Sequence, residues 1–390
     1  MTNRIEHPKY DYAEERLLLS EFLAGRVPKD GWVKQFEREF AQFTDSKYAI
    51  AVNSATSGLH AALYAAGVGV GDKVISPALT VVMDAFVTAH LGAEPVFADV
   101  DLLTHNICPD DVATKYDESV KAVIGVSWQG LSCDVDKLRV AAPNALIIED
   151  SAQSLHPEAQ VNYQSGRADI RVYSFESKKH MSTGSEGGMV TTDDPILAEK
   201  VRKFAGIGYR HLTSDAGRTS LAKSDFQRPS YRRFDTIGLN YRMNEVSACI
   251  GLAQLKRFTS IYELRQKVAG IFIDVINRYP NSLVLQSCAC ECENSYYTVA
   301  ARLLDCTKWT QIHEHYVGLG ADGFYAAVAN PYLEPAFRDY ADLYGWYEGM
   351  CPNAELLQKS VMSFKTNYRN IEHAIEDATL LDKTLSELLK

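Results

Sequence analysis

The sequence predicts an α/β protein in which a mainly parallel sheet lies between helices, followed by a smaller α+β domain. Apolar residues make up 46 % of the 390 positions and charged residues 23 %, the balance of a globular chain with a large core. From residue 48 onward, short β-rich runs alternate with helical stretches, and such strands are joined by crossovers that make neighbours parallel. The seven predicted strands are Tyr48–Val52, Lys73–Ser76, Pro95–Val100, Ala122–Val126, Ala145–Glu149, Ile170–Phe175 and Gly188–Thr192.

Two amphipathic helices are predicted before the first strand, at Tyr12–Ala24 and Gly31–Phe43, because apolar residues recur there at spacings of three and four. The polar segment Gly208–Phe234 has no periodicity and predicts a long surface loop, a type of segment that is often functional. The helical stretches predicted between the strands include Ser57–Ala66, Asp84–Leu91 and Asp134–Ala141.

The C-terminal part has a different organisation. Asn244–Thr259 predicts a helix by its period, and the rest predicts a further helix, a strand pair near Ser282–Leu285 and Tyr296–Leu303, and more helices. We therefore expect a large domain over residues 1–255, which includes the N-terminal helices, and a smaller α+β domain over residues 256–390.

Charge and composition exclude several classes of protein. The formal charge of −10 provides no basic field for nucleic acid or an anionic membrane, and the uncharged run Gly58–Gly71 is too short to span a bilayer. The N-terminus lacks the pattern of a secretory signal, so we expect a cytoplasmic protein. Cys288, Cys290 and Cys292 would share one face of an extended strand, but they lack zinc-site spacing, and we expect reduced thiols and no metal.

Polar clusters follow the predicted strands, where ligands of parallel α/β sheets bind. Residues 53–58 offer backbone N–H groups and hydroxyls that suit a phosphate, although helix capping by Ser54 or Thr56 explains them equally well. Asp150 ends a buried strand, where a carboxylate needs a cation or a strong donor such as a protonated ring nitrogen. A helix cap is the alternative for Asp150. No GxGxxG follows the first strand, which excludes a Rossmann dehydrogenase.

Two further clusters complete the set. Residues 173–188 carry Lys178, Lys179 and His180 before a glycine-rich turn, and a sheltered lysine can lose its proton and attack a carbonyl. Most lysines are solvated surface charges, so this feature alone is not specific. Residues 238–245, with the sequence GLNYRMNE, open the predicted long helix.

In this order, the four clusters resemble the DegT/DnrJ/EryC1/StrS family of sugar aminotransferases, a branch of the fold-type I enzymes that use pyridoxal 5′-phosphate (PLP). The phrases GVGVGDKVISPALT and GAEPVFADVD are also similar, and the resemblance extends from about Trp32 to Arg257 and more faintly to Phe364. It implies the fold-type I transferase fold. It also implies transfer of an amino group from a donor, most often L-glutamate, to a keto-sugar that is usually linked to a nucleotide.

The resemblance assigns roles to individual residues. Lys179 would form the internal aldimine with PLP and, once freed, act as general base and acid. Asp150 would bond the pyridinium nitrogen, and Gln153 would approach the ring hydroxyl. The residues implied for the phosphate are Ala55, Thr56, Ser174 and, from the other subunit of a homodimer with two shared sites, Asn240. The candidates on the acceptor side are Trp32, His180, Arg228, Arg232 and Arg233, the arginines as donors to phosphates.

Two departures from the family pattern leave alternatives open. Counting forward from Ser174 places the reactive lysine at Lys179, but counting back from Glu186 gives His180, because Ser185 is inserted in the turn. A dehydratase branch carries histidine there, so a PLP-dependent sugar dehydratase that uses His180 is one alternative. Val81 replaces the aromatic residue that usually stacks on the cofactor, and a catalytically inactive relative that acts as a regulator is the other.

Overall fold

The computed structural model describes residues 12–157, 167–215, 221–288 and 294–389, and it begins with the two predicted amphipathic helices. Helix α1 spans Ala13–Leu23, and α2 spans Trp32–Phe43. The apolar face of α2 buries Phe36 and Phe40 completely, and Phe40 packs edge-on against Tyr173 of the central sheet. Each helix lies within one residue of its predicted bounds.

A seven-stranded sheet forms the centre of the protein. Its spatial order is β1-β7-β6-β5-β4-β2-β3, in which β7 runs antiparallel to both of its neighbours and all other pairs are parallel. This mainly parallel sheet confirms the predicted fold class. The strands are β1 (Tyr48–Val52), β2 (Lys73–Pro77), β3 (Glu94–Ala98), β4 (Val120–Val126), β5 (Leu146–Asp150), β6 (Ile170–Ser174) and β7 (Gly188–Thr192).

Helices cover both faces of the sheet because successive strand residues point to opposite sides. Val172 faces a core that includes residues of α3 and α7, whereas Tyr173 faces the core formed with α2 and α9. Such two-sided burial explains why the strands read as continuous apolar runs. The helices that complete this part are α3 (Ala55–Ala65), α4 (Met83–His90), α5 (Pro109–Lys115), α6 (Val135–Ala141), α7 (Pro195–Ala205), α8 (Lys223–Phe226) and α9 (Glu245–Lys256).

The C-terminal part is built on a three-stranded antiparallel sheet of order β10-β9-β8. Its core includes Phe272, Ile312, Phe364 and Leu381, all nearly fully buried. The strand pair predicted from sequence corresponds to β8 and β9, whereas β10 was not predicted. The elements are α10 (Phe258–Ile276), β8 (Leu283–Leu285), β9 (Thr298–Leu303), α11 (Trp309–Gly318), α12 (Arg338–Tyr344), α13 (Pro352–Ser360), β10 (Val361–Lys365) and α14 (Ile371–Leu388).

A separate core joins residues from both sides of the predicted boundary at residue 255. Phe97, on β3, packs with Tyr332 and Phe337, and these rings lie 5.5 and 6.5 Å from it. The division into domains 1–255 and 256–390 stays a prediction. The predicted loop Gly208–Phe234 contains the short helix α8, and its residues 216–220 lie outside the described part of the chain.

None of the helices that the structure describes is long and apolar enough to cross a bilayer. Among the described residues there is also no cluster of three or more His, Cys, Asp or Glu side chains that could hold a metal ion. Cys288 is half-buried, and Cys290 and Cys292 lie outside the described residues.

Candidate active site

The N-terminus of α3 forms a cradle beyond the end of β1. Ser54 caps the helix, since its Oγ accepts a hydrogen bond from the backbone N–H of Ser57 at 3.1 Å. The N–H groups of Ala55 and Thr56 lie in the first helical turn, which has no acceptors within the helix. Ser54 therefore caps the helix while other N–H groups of the first turn stay open, so helix capping and phosphate binding are compatible functions of this cluster.

Strands β6 and β7 close the side of this cradle. Ser174 pairs with Gly188 across the two strands, at the point where both reach the helix. A Cβ atom at Gly188 would lie 2.6 Å from the carbonyl carbon of Ser54 and 2.8 Å from the nitrogen of Ala55. The backbone can come this close only because residue 188 is glycine. The fold thus brings the first-turn N–H groups of α3 close to Ser174 at the ends of β6 and β7, an arrangement that suits a phosphate.

Asp150 ends β5 and is buried at the same edge of the sheet. Its Oδ1 accepts a hydrogen bond from the backbone N–H of Ala152 at 2.8 Å. Burial raises the pKa of Asp150 to about 6, although this N–H and the charge of Lys179 act in the opposite direction. Lys179 therefore lies within electrostatic reach of this carboxylate.

Lys179 follows β6 and points its amine into a cavity. Its Nζ lies 4.8 Å from the ring centre of Tyr297. The backbone carbonyl of Lys179 accepts a hydrogen bond at 3.0 Å from Arg265, a buried residue of α10 whose guanidinium also donates to Thr366 Oγ1 at 2.8 Å. Burial lowers the pKa of Arg265 to about 10. Arg265 thus fixes the lysine-bearing loop to the C-terminal part of the chain.

The cavity has a volume of about 440 Å³ and is lined from both parts of the chain. Val81 lies on its wall at the position where the resemblance leads one to expect an aromatic ring. Because residue 81 is valine, the cavity wall at that position is aliphatic. The remaining lining residues are Trp128, Gln129, Gln153, Lys178, Lys179, Tyr297, Thr298, Tyr325, Ala326, Ala327, Val328, Ser363, Lys365 and Asn367.

Gln153 is oriented by a hydrogen-bond chain that crosses the cavity floor. Its Oε1 accepts from the backbone N–H of Gln129 at 2.8 Å, and Gln129 Nε2 donates to Ser363 Oγ at 2.6 Å. His105 Nδ1 donates to Gln129 Oε1 at 3.1 Å. Because Oε1 of Gln153 is held by this chain, its Nε2 is the group left to donate toward a ligand.

His180 has a different environment from its neighbour Lys179. It is buried, its Nε2 donates to the backbone carbonyl of Ser295 at 3.0 Å, and it does not line the cavity. Burial lowers the pKa of His180. The inserted Ser185 has φ of +113° and follows Gly184, also at positive φ, so the extra residue is absorbed in the turn. Lys179 is therefore the residue presented to the cavity.

Asn240 is exposed at the surface beside the cradle. Its Oδ1 accepts from Arg242 Nε at 3.0 Å, and the next residue, Tyr241, accepts the N–H of Asn53 at 2.8 Å. The segment from Asn240 to Arg242 therefore runs alongside the end of β1. A contact of Asn240 with a phosphate in another subunit stays a prediction.

The other acceptor-side candidates do not reach the cavity within one chain. Trp32 is 5 % exposed, packs in the core with Phe36, and donates its backbone N–H to Glu245 Oε2 at 2.6 Å. Its indole Nε1 is buried without a hydrogen-bond partner among the described residues, and a contact of Trp32 with an acceptor stays a prediction. The three arginines lie in the long loop: Arg228 pairs with Asp225, Arg233 donates to the backbone carbonyl of Phe226, and Arg232 is exposed.

Several residues that shape the site were not predicted. Arg265, Gln129, Tyr297 and Ser363 come from segments without a motif, and folding alone brings them to Lys179 or Gln153. No motif in the sequence identifies them as site residues.

The sequence of the chain is similar to a family of known proteins. Residues 13–374 match the DegT/DnrJ/EryC1/StrS aminotransferase family. The chain belongs to this family. Its members use PLP, so the predicted enzyme class and cofactor are confirmed at the level of the family.

Individual relatives give the same result. A spore coat polysaccharide biosynthesis protein, SpsC, of Bacillus subtilis is 35 % identical over 66 % of this chain and 64 % of its own length. A GDP-perosamine synthase of Caulobacter vibrioides is 33 % identical over 70 % of this chain and 69 % of its own length. The X-ray structure of an aminotransferase from Psychrobacter cryohalolentis, 27 % identical, superposes with a TM-score of 0.85 and covers 98 % of this chain and 99 % of that one. The aligned segments thus span about two thirds of the curated relatives, whereas the fold matches throughout.

Proposed function

We propose that this protein is a PLP-dependent aminotransferase that moves an amino group from an amino acid, L-glutamate by the family resemblance, to a keto-sugar acceptor. The observation that carries the proposal is the position of Lys179, whose amine lines the cavity within electrostatic reach of the buried Asp150. A PLP ring needs these two groups on different sides, a lysine for its aldehyde and a carboxylate for its ring nitrogen.

The residues at the site fit the cofactor. The open turn of α3 and the close approach of Gly188 make a cradle for its phosphate, with Ala55, Thr56 and Ser174 as donors. Asp150 is acidic, buried and supplied with only one backbone donor at Oδ1, so it suits a protonated ring nitrogen. Gln153 has its Nε2 available for the ring hydroxyl.

When bound, PLP acts as an electron sink that stabilises negative charge on the carbon next to the amine. The protein supplies the proton transfers around that carbon. With the cofactor bound, Lys179 Nζ would take the proton from this carbon and return it at the neighbouring position, as general base and then general acid. Tyr297 and Arg265 hold the lysine side chain and its backbone in place for both steps.

The acceptor is proposed to be a keto-sugar linked to a nucleotide. This proposal rests on the named functions of the relatives, a polysaccharide biosynthesis protein and a GDP-perosamine synthase. The cavity of about 440 Å³ has hydrogen-bonding groups and two lysines at its wall, Lys178 and Lys365, in addition to Lys179. The two lysines can pair with the phosphates of such an acceptor, and the apolar part of the wall can pack against its sugar and base.

We also propose that the protein works as a homodimer with shared sites. Asn240 is flanked on the surface by Phe234, Ile237 and Leu239, which are 54 %, 95 % and 43 % exposed. Exposed apolar side chains grouped in this way are typical of a protein interface. An interface there would bring the cradle of one chain near the Asn240 segment of its partner.

A spectroscopic assay tests the reaction. The purified protein with PLP should absorb near the visible edge, and L-glutamate should bleach this absorbance as the amine is transferred to the cofactor. Subsequent addition of a nucleotide-linked keto-sugar should restore it. Absence of bleaching with every amino acid tried would contradict the aminotransferase proposal.

Variants at adjacent positions identify the lysine. Lys179→Ala should lose the visible absorbance and the bleaching, whereas the matched control Lys178→Ala should keep both. His180→Gln should also keep them, because His180 is bonded to Ser295 and lies outside the cavity. If Lys179→Ala keeps turnover and His180→Gln loses it, the dehydratase alternative is correct. If wild type retains no PLP after purification, the regulator alternative is favoured.

A further inference from the structure

The wall of the cavity beside Lys179 carries charge of one sign. Among the described residues that line it, three are lysines and none is an aspartate or a glutamate. The chain as a whole has a formal charge of −10, so this wall is opposite in sign to the net charge of the protein. A cleft lined by one sign of charge attracts ligands of the opposite sign, and here the attracted ligand is an anion.

The three lysines differ in their surroundings. Lys179 has the buried Asp150 within electrostatic reach, and the proposed function assigns its amine to the cofactor. Lys178 is exposed. Lys365 is half-buried and ends β10, so it reaches the cavity from the C-terminal part of the chain. Lys365 is therefore the sheltered lysine of this wall that remains for a substrate.

The pairing of β10 with β9 places Lys365 at the cavity. Ser363 and Lys365 both line the cavity, whereas Met362 and Phe364, which alternate with them, are buried in the core of the C-terminal part. Thr298 of β9 is the direct cross-strand partner of Lys365 and lines the same cavity. The register of two paired strands thus fixes the position of this lysine.

Tyr325 holds the amine of Lys365. The backbone N–H of Tyr325 donates to the carbonyl of Ser363 at 3.0 Å, and the N–H of Ser363 donates back at 2.7 Å. This bridge puts the tyrosine ring diagonally beside Lys365, whose Nζ lies 4.4 Å from the ring centre. The ring face attracts the ammonium charge, and the ammonium keeps N–H donors for a ligand.

The space beside this amine is suited to part of a substrate. Ala326 and Ala327, which follow Tyr325, also line the cavity and present only small side chains. Lys365 lies two residues beyond Ser363, a step of roughly 6.6 Å along a strand. Ser363 belongs to the hydrogen-bond chain that orients Gln153. The cation therefore lies beyond the residues proposed to contact the cofactor ring.

We propose that Lys365, positioned by Tyr325, is the subsite of this cavity for an anionic oxygen of the substrate. The group that it takes is a phosphate of the acceptor or a carboxylate of the amino donor, because both present charged oxygens to a charge-assisted hydrogen bond. Lys365 Nζ donates that bond. The identity of the two substrates rests on the proposed function, whereas the binding of an anion rests on the wall itself.

The two half-reactions of the holoenzyme distinguish the two sources, because the donor bleaches the cofactor absorbance and the acceptor restores it. Lys365→Gln removes the charge and keeps a polar side chain. It should raise the half-saturating concentration of the amino acid or of the nucleotide-linked keto-sugar by about 10- to 100-fold, with little change in the rate at saturation. The half-reaction that changes identifies the group bound, and Lys365→Arg should restore most of the affinity. Unchanged half-saturating concentrations in both half-reactions would overturn the proposal.

Two further sets of variants separate this subsite from a general effect of charge. Lys359→Gln makes the same change in α13, where the side chain is 63 % exposed and pairs with Glu348, and it should leave both half-reactions unaltered. Tyr325→Phe keeps the ring and should behave as wild type, whereas Tyr325→Leu should raise the same half-saturating concentration as Lys365→Gln by roughly two- to fivefold. If Tyr325→Leu equals wild type, the positioning role of Tyr325 is wrong.

Calorimetry with unreactive probes tests the subsite without the reaction. Inorganic pyrophosphate represents the phosphates of the acceptor, and glutarate represents the carboxylates of the donor. Wild-type holoenzyme should bind one of these probes at least about tenfold more tightly than Lys365→Gln does. If no transamination is found but this difference persists, the proposed function fails and the anion subsite stands. If transamination occurs while both proteins bind the probes equally, the subsite fails and the proposed function stands.

Discussion

Replacement of Gly188 by alanine tests the cofactor cradle. The new Cβ would lie 2.6 Å from the Ser54 carbonyl carbon and 2.8 Å from both the Ser54 oxygen and the Ala55 nitrogen. All three are backbone atoms, so no side chain can rotate away. To reach ordinary contact of roughly 3.5 Å, the first turn of α3 must retreat by roughly 0.8 Å from β7.

This displacement should affect stability and phosphate binding separately. Overpacking of this kind destabilises a protein by about 1–3 kcal/mol. A shift of the same size in the N–H groups of Ala55 and Thr56 exceeds the tolerance of a hydrogen bond. Loss of one charge-assisted hydrogen bond, worth about 1.5–3 kcal/mol, raises the dissociation constant of PLP by about 10- to 100-fold.

Two measurements on one set of proteins decide the outcome. Urea denaturation of the cofactor-free protein gives the free energy of unfolding, and an absorbance titration gives the affinity for PLP. Gly270→Ala is the matched control, since it lies in α10 with nothing within 4 Å of the added carbon, and it should stabilise by about 0.5–1 kcal/mol. If Gly188→Ala binds PLP as tightly as Gly270→Ala does, the cradle is not the phosphate site.

Three further predictions concern buried charge and the surface. Glu149→Gln leaves Arg171 without its buried carboxylate and should lower the free energy of unfolding by about 3–5 kcal/mol in urea denaturation; a loss below 1 kcal/mol would contradict burial of the pair. Because the pKa of Asp150 is raised from 3.8 to about 6 in the folded state, the cofactor-free protein should lose stability as pH rises between these values. Asp150→Asn should reduce that loss while weakening PLP binding, and the buried Asp84, whose pKa is also raised, should account for the part that remains. Ile237→Asp should lower the dimer fraction in light scattering, and an unchanged mass would move the interface elsewhere.

The sheet was predictable because its signals are local. Strands β1 and β7 have the predicted bounds, and the others differ by one or two residues at one or both ends. Each is a short apolar run bounded by polar or glycine residues, and burial on both faces maintains that pattern. The cluster that contains Lys179 could likewise be predicted from the sequence, because the residues between β6 and β7 are contiguous in the chain.

The C-terminal part was harder for the same physical reason. β10 pairs with β9, whose partner residues lie about sixty positions earlier in the chain, and its Ser363 bridges to Tyr325. Val361–Lys365 is short, and α13 runs directly into it without a turn residue, so its local sequence could equally continue the helix. The local sequence around Arg265 does not indicate its role either, because Arg265 acts by donating a hydrogen bond to the backbone carbonyl of Lys179, which lies 86 residues earlier in the chain.

Gln129 shows how these distant segments become one site. Its φ of +60° is a left-handed conformation that disfavours a non-glycine residue by about 1–2 kcal/mol. Its backbone N–H and its side chain nevertheless make three hydrogen bonds, to Gln153, Ser363 and His105, which offset this strain. The orientation of Gln153, and with it any contact to the cofactor ring, therefore depends on Gln129 in its left-handed conformation and on Ser363 of β10, to which Gln129 donates. A change in β10 should consequently alter the proposed cofactor contacts even where the changed residue touches no ligand. The motif at residues 149–153 therefore identifies Gln153 but does not show which residues orient its side chain.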